Sequence, residues 1–183
     1  MIQEDLLLRV ISKINSLGIP YMMTGGVAVI FFGRPRLTHD FDLVIEMRDA
    51  DIPELVKLFQ DDFYVSEEAI LEALKRRSMF NIIHFDSGIK VDFWLLHRDE
   101  FDRTRFERRK LHSYGNLDMY VSAPEDVILK KLLWYKESDI QKHRDDALGI
   151  LEVQKKLDMD YLEHWAGRLS VKNLFHELLR LMD

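Results

Sequence analysis

The chain has 183 residues, 47% hydrophobic and 32% charged, a net charge of −6 and no cysteine. That suffices for one ordinary domain, or one with a small helical lobe. It excludes disulfides and thiolate metal sites, lacks the apolar run of about 18 residues that a membrane helix needs, and argues against an overall basic nucleic-acid binder while leaving room for a local basic patch. The opening "MIQEDLLLRV" has acids where an export signal needs bases, so the expected location is the cytoplasm.

Residues 3–17 place Leu6, Leu7, Val10, Ile11 and Ile14 at helical spacing, and Gly18 ends the run. "IPYMMT" reads as a short strand, broken by Gly25-Gly26, and "VAVIFFG" as a short buried helix ending at Gly33. After the loop "RPRLTH" comes a strand, Phe41 to Glu46, then amphipathic helices over 49–60 and 67–77. "MFNIIHF" and "IKVDFWLL" flank "DSG", a hairpin-turn signal. A helix is expected over 99–109 and a second hairpin around Gly115-Asn116. From Pro124 onward the pattern is helical, over about 124–137, 140–156, 158–168 and 171–182. The fold class is therefore α/β (α+β): a small mixed sheet with packed helices over 1–122, then a helical subdomain over 123–183.

One stretch is costly. The strand "DFDLVI" opens with Asp40 and Asp42, which share a face because side chains two apart in a strand point the same way. Like charges so close repel and raise each other's pKa unless a cation lies between them. Magnesium suits that task, since it takes one or two carboxylates plus phosphate oxygens. The bland alternative is an exposed strand start kept soluble by acids. "GIKVDFWLL" repeats the anomaly: Ile89, Val91, Phe93 and Leu95 share one face and Asp92 takes the other. Three carboxylates on neighbouring strands make a two-metal site for phosphoryl transfer. Gly25 and Gly26, between strand and helix, would let backbone N–H groups approach a phosphate, although an ordinary tight turn uses the same pair.

These residues resemble the polymerase-β-like nucleotidyltransferase superfamily, in which a strand leads to Gly-Gly or Gly-Ser at a helix start, then to a strand with Asp-apolar-Asp, then to a strand with one Asp. "RLTHDFDLVI" looks like the form found in small stand-alone bacterial and archaeal members, which include relatives of AbiEii-type toxins. "PEDVILKKLLWYKES" and "RDDALGIL" are similar to the family's later helices, and by that match Lys131 takes the Lys position and Asp146 the Asp position. The resemblance covers roughly residues 20 to 152. It implies nucleotidyl transfer in a cleft between sheet and helices: an acceptor hydroxyl attacks the α-phosphate of a nucleoside triphosphate, and pyrophosphate leaves. Asp40, Asp42 and Asp92 would hold magnesium ions, with Asp92 also helping to deprotonate the acceptor. Gly25 and Gly26 would hold the β and γ phosphates, with Arg36, Thr38, Lys131 and Asp146 completing the nucleotide site. The acceptor stays open among tRNA, protein and small molecules.

The resemblance also permits a different class: a toxin or antitoxin partner, or a nucleotide-binding module with weak or lost catalysis. An exposed apolar stripe of Leu174, Phe175, Leu178 and Leu179 would favour partner binding. Asp146 could instead form a salt bridge with Arg144 or Lys142. His84 and His97 lack zinc spacing and read as hydrogen-bonded bystanders. "RTRFERRK", Arg103 to Lys110, is the most basic stretch, and most simply a solvated helix face. Trp134 and Tyr135 read as core.

Overall fold

The structure is a computed structural model that describes residues 2–38 and 40–182, so His39 of the quoted loop lies outside it. The chain forms two compact units, Met1–Gly26 with Thr38–Val121 and Val27–Leu37 with Ser122–Asp183. A division at residue 122 assigns 27–37 to the first part, whereas these residues fold with the helices of the second.

The first unit is built on a seven-stranded sheet. In chain order its elements are α1 (Ile2–Leu17), β1 (Tyr21–Thr24), β2 (Asp40–Ile45), α3 (Ile52–Phe59), β3 (Phe63–Tyr64), α4 (Glu67–Arg76), β4 (Met79–His84), β5 (Lys90–Leu95), α5 (Glu100–Glu107), β6 (Lys110–Tyr114) and β7 (Leu117–Val121), with α2 (Gly25–Phe32) leaving after β1. The strand order is β3-β4-β5-β2-β1-β7-β6. β2 runs parallel to β5 and antiparallel to β1, so the sheet is mixed and the acid-bearing strands are central neighbours.

Register explains which face is core. Phe41, Leu43 and Ile45 sit opposite Val91, Phe93 and Leu95, all buried. Phe59 of α3 meets Phe93 edge-on, centroids 6.3 Å apart, and α1, α3 and α4 pack on this side. On the opposite face Met22, Val44, Leu96 and Phe106 form a smaller apolar cluster with Trp94, so α5 covers only part of that side. Thr24, Asp42, Asp92 and Asn81 continue the row beyond it.

The second unit holds α6 (Pro124–Ser138), α7 (Gln141–Val153), α8 (Met159–Arg168) and α9 (Lys172–Arg180). α6 packs on α7 and α8, and α8 on α9. The end of α2 belongs here: Gln154 Nε2 donates to the Phe32 carbonyl at 2.6 Å, and a Cβ at Gly33 would meet Ile150 Cγ1 at 3.0 Å. That bond accompanies the end of α7 at Val153, where Gln154 is already extended, ahead of the expected 156. Two other differences are local. The helix expected from residue 49 opens with a tight 3-10 turn at Asp49–Asp51 before Pro53 sets α3. β3 is two residues long, too short to show any period.

Candidate active site

Asp42 and Asp92 are direct register partners on parallel strands, and Asp40 sits opposite Lys90. Asp40 is exposed at the strand start, while Asp42 and Asp92 are half-buried. The consequence shows at Asp92. Burial, then the charges of Asp42 and Asp40, push its carboxyl up to about 6, with Lys90 opposing only in part. Its Oδ1 is buried without a hydrogen-bond partner. Such an orphaned anionic oxygen costs on the order of 1–3 kcal/mol, and a fold retains it where something else satisfies it. Hard carboxylate oxygens on adjacent strands, one unsatisfied and all mutually repelling, fit a divalent cation.

Asp42 is held from two sides. Trp94 Nε1 donates to Oδ1 at 3.4 Å, and the Gly26 N–H donates to Oδ2 at 3.4 Å. The second bond places the carboxylate at the start of α2, where unpaired N–H groups favour negative charge. Gly25 is demanded by this approach. A Cβ there would lie 1.9 Å from Asp42 Oδ2, and its φ is +58°. The left-handed conformation therefore falls on the first glycine of the pair. Thr38 Oγ1 donates to the Asp40 carbonyl at 3.3 Å, bracing the strand start.

The remaining nucleotide-site candidates cluster in the second unit. Asp146 accepts from Arg36 Nε at 2.7 Å and Nη2 at 3.0 Å, and from Lys131 Nζ at 2.8 Å. Lys131 and Asp146 are both buried, whereas Lys130 is half-buried and Asp145 exposed. Helical rotation explains the choice, since neighbours differ by ~100° and only one faces the apolar side of α6 with Val127, Ile128 and Leu132. Lys131 also lies 5.0 Å from the Trp134 ring centre. Burial alone would raise the Asp146 carboxyl, but its bonds to Arg36 and Lys131 outweigh burial and hold it below the usual carboxylate range. The partners of Asp146 are thus Arg36 and Lys131, and the alternative salt bridge to Arg144 or Lys142 does not form among the described residues. Arg36 lies 110 residues away in the chain, a separation that leaves no local pattern to read.

Other candidates resolve plainly. Phe175 and Leu178 are buried and Leu174 and Leu179 half-buried, so the α9 stripe is core and offers no exposed patch. His84 Nδ1 is 2.9 Å from Ser87 Oγ, a hydrogen-bonded bystander. The basic stretch is more than a solvated face. Arg105 is buried against Asp102 at 2.6 Å, and Arg109 stacks over Phe106 with 4.2 Å to the ring centre. His97, Asp99 and Asp102 bring one ligand atom each within 4.8 Å of one another. Two of these are already employed: Asp99 Oδ1 caps α5 through the Asp102 N–H, and Asp102 neutralises Arg105.

No protein-family model matches the chain, and no curated protein matches it significantly. Solved structures do. An antigenic nucleotidyltransferase-like protein from Paracoccidioides brasiliensis is 20% identical with a TM-score of 0.54, covering 81% of this chain and 73% of that one. The lincosamide antibiotic adenylyltransferase LnuA, solved with lincomycin bound, is 12% identical with a TM-score of 0.55, covering 84% and 98%. The antibiotic-resistance factor ANT(2'')-Ia, in its complex with adenylyl-2"-tobramycin, is 13% identical with a TM-score of 0.54 over the whole of both chains. The architecture is accordingly a nucleotidyltransferase fold, a mixed sheet with an added helical region. At these identities the likeness speaks for the fold and leaves activity to the residues.

Proposed function

We propose that the protein is a magnesium-dependent nucleotidyltransferase that moves a nucleoside monophosphate from a nucleoside triphosphate to an acceptor hydroxyl. The carrying observation is the unpartnered, buried Asp92 Oδ1 beside its register partner Asp42, on a fold shared with adenylyltransferases. In this reading Asp40, Asp42 and Asp92 hold the ions. Magnesium ions held there would neutralise charge on the phosphate oxygens. Asp92 would accept the acceptor's proton as a general base. A bond then forms from the acceptor oxygen to the α-phosphorus, the bond to the β-phosphate bridge breaks, and pyrophosphate leaves.

The Gly25-Gly26 turn contributes N–H groups to the β and γ phosphates. Within the helical unit Asp146 fixes both Arg36 and Lys131 in one geometry and leaves one positive charge that a phosphate would meet, and Thr38 steadies the loop before Asp40. The acceptor is an RNA, protein or small-molecule hydroxyl. Incubation with each α-labelled nucleoside triphosphate, magnesium and separate fractions of cellular RNA, protein and small molecules tests this. Label should enter one fraction, and Asp42→Asn should reduce incorporation at least 1000-fold, on the order expected for losing a metal ligand. Undiminished incorporation by Asp42→Asn, or none by the parent protein with any of the four nucleotides, would sink the assignment.

A further inference from the structure

We infer that the concavity at the Pro20 end of the sheet is a second ligand site, built for a compact anion bearing two or more phosphate groups. The cavity measures about 570 Å³ and is lined by Arg77, Arg98, Arg103 and Arg109 with His97 and Glu107, and by Pro20, Glu46, Leu96 and Phe106. Four arginines against two glutamates leave +2 before His97 is counted, on a chain whose net charge is −6. Neither glutamate forms an ion pair with these arginines among the described residues. Guanidinium groups recognise phosphate through paired N–H donors, and several converging on one hollow match several phosphate oxygens at once.

Two details show that the arginines are placed there at a cost. Arg77 has φ +48°, a left-handed conformation that an L residue adopts at roughly 1–2 kcal/mol. A glycine would relieve that strain, yet the position carries a guanidinium, steadied by Nη1 donating to the Leu96 carbonyl at 3.0 Å. Arg109 is sandwiched between Phe106 and Tyr120, with ring centres at 4.2 and 5.1 Å, and its buried Nε has no partner. Arg98 and Arg103 are exposed and unpaired among the described residues.

The site is separate from the carboxylates. It lies where β1 begins and β2 and β5 end, whereas Asp42 stands near the other end. Four residues of strand from Asp42 to Glu46 span about 13 Å, and Phe106 packs on Met22 and Val44 between them. A compact anion held here is therefore an effector, or a group that anchors a longer substrate, rather than the phosphate undergoing transfer. The arginines surround one hollow instead of following a stripe, which favours a compact polyphosphate over a nucleic-acid strand.

The test is titration calorimetry with inorganic tripolyphosphate in EDTA at low, fixed ionic strength, where metal-free carboxylates repel the anion and no transfer reaction is involved. The parent protein should bind it saturably. Arg98→Glu combined with Arg103→Glu, both at exposed positions, should weaken binding at least tenfold. Lys155→Glu combined with Lys156→Glu applies the same charge change at exposed positions of the other unit and should weaken it far less. Equal losses in the two double variants overturn the site, as does affinity for single-stranded RNA that exceeds tripolyphosphate and grows with strand length. The measurement stands whether or not nucleotidyl transfer is ever observed.

Discussion

Two regions of this chain bury acidic charge and resolve it in opposite ways. In the helical unit one carboxylate, Asp146, receives two cations, so Arg36, Lys131 and Asp146 neutralise one another down to a single net charge. On the sheet, Asp42 and Asp92 stand side by side, and Trp94 and the Gly26 N–H give Asp42 only neutral donors at 3.4 Å. The first arrangement is complete within the protein. Among the described residues the second has no ion pair, and burial with the charges of Asp42 and Asp40 pushes the Asp92 carboxyl up to about 6, against Lys90. A finished ion pair is what structure alone requires, while an unfinished one points outward to a ligand.

The largest effect should come from breaking the finished pair. Lys131→Ala leaves Asp146 buried with Arg36 alone, and removing one partner of a buried ion pair costs about 3–5 kcal/mol. Urea unfolding should show a loss at the lower end, because Arg36 remains. Its nucleotide affinity therefore needs to be read only under conditions where the variant is folded. A loss under 1 kcal/mol would mean that the pair is solvated and that Lys131 is free to serve phosphate directly.

Gly25→Ala comes next. The new methyl would overlap Asp42 Oδ2, and the backbone would be forced into the left-handed region. We expect about 2 kcal/mol of destabilisation from backbone and overlap together, with metal-induced stabilisation lost because Asp42 must move aside. A folded Gly25→Ala variant whose melting temperature still rises with magnesium and a triphosphate would contradict the close approach.

The two regions should also separate by pH. Asp92 has a folded pKa of about 6, above its unfolded value near 4. Its stabilising contribution is complete below about pH 4 and is lost as pH rises through 6. Asp146 is lowered, so its contribution is present above about pH 4 and is lost as pH falls through its folded value. Metal-free protein should thus lose about 1 kcal/mol between pH 4 and 6, a figure kept small because Asp92 is only half-buried. Asp92→Asn should abolish that slope, raise metal-free stability at pH 7 and remove the gain from magnesium. An unchanged slope in Asp92→Asn would place the titrating group elsewhere.

The contrast between the regions also explains what the sequence could carry. Alternation in "DFDLVI" and "KVDFWL" was enough to set Asp40 with Asp42 and Asp92 apart from its apolar neighbours, because a strand's period is local, while the pairing of β2 with β5 puts the three on one face. Lys131 was chosen over Lys130 and Asp146 over Asp145 by resemblance to the family's later helices, and the chosen member of each pair is the buried one. Arg36 in a loop and Asp146 on α7 have no shared period, so their bond appears only once α2 and α7 pack in one unit. The arginine cavity was hidden for the same reason: Arg77 ends α4, Arg98 follows β5, and Arg103 and Arg109 lie on and after α5. Within "RTRFERRK" the sequence showed the charge but not that its members divide between a buried pair, an aromatic sandwich and the cavity wall.

The smallest effect is the sharpest check on the helical unit. Lys130 is half-buried on α6, its Nζ 6.0 Å from the Trp134 ring centre, a weak cation–π distance beside a solvated face. Lys130→Ala should cost no more than about 0.5 kcal/mol and leave binding of a non-hydrolysable triphosphate within a factor of two. The pair Lys130→Ala and Lys131→Ala differ by one residue, one charge each and the same truncation, so composition cancels and only the ~100° rotation between them remains. If Lys130→Ala proves the more damaging in stability, α6 is rotated by a residue and Asp146 is paired differently. If it is silent in stability yet weakens triphosphate binding tenfold, the phosphate contact belongs to Lys130, and Lys131 serves only to complete the ion pair that Asp146 requires.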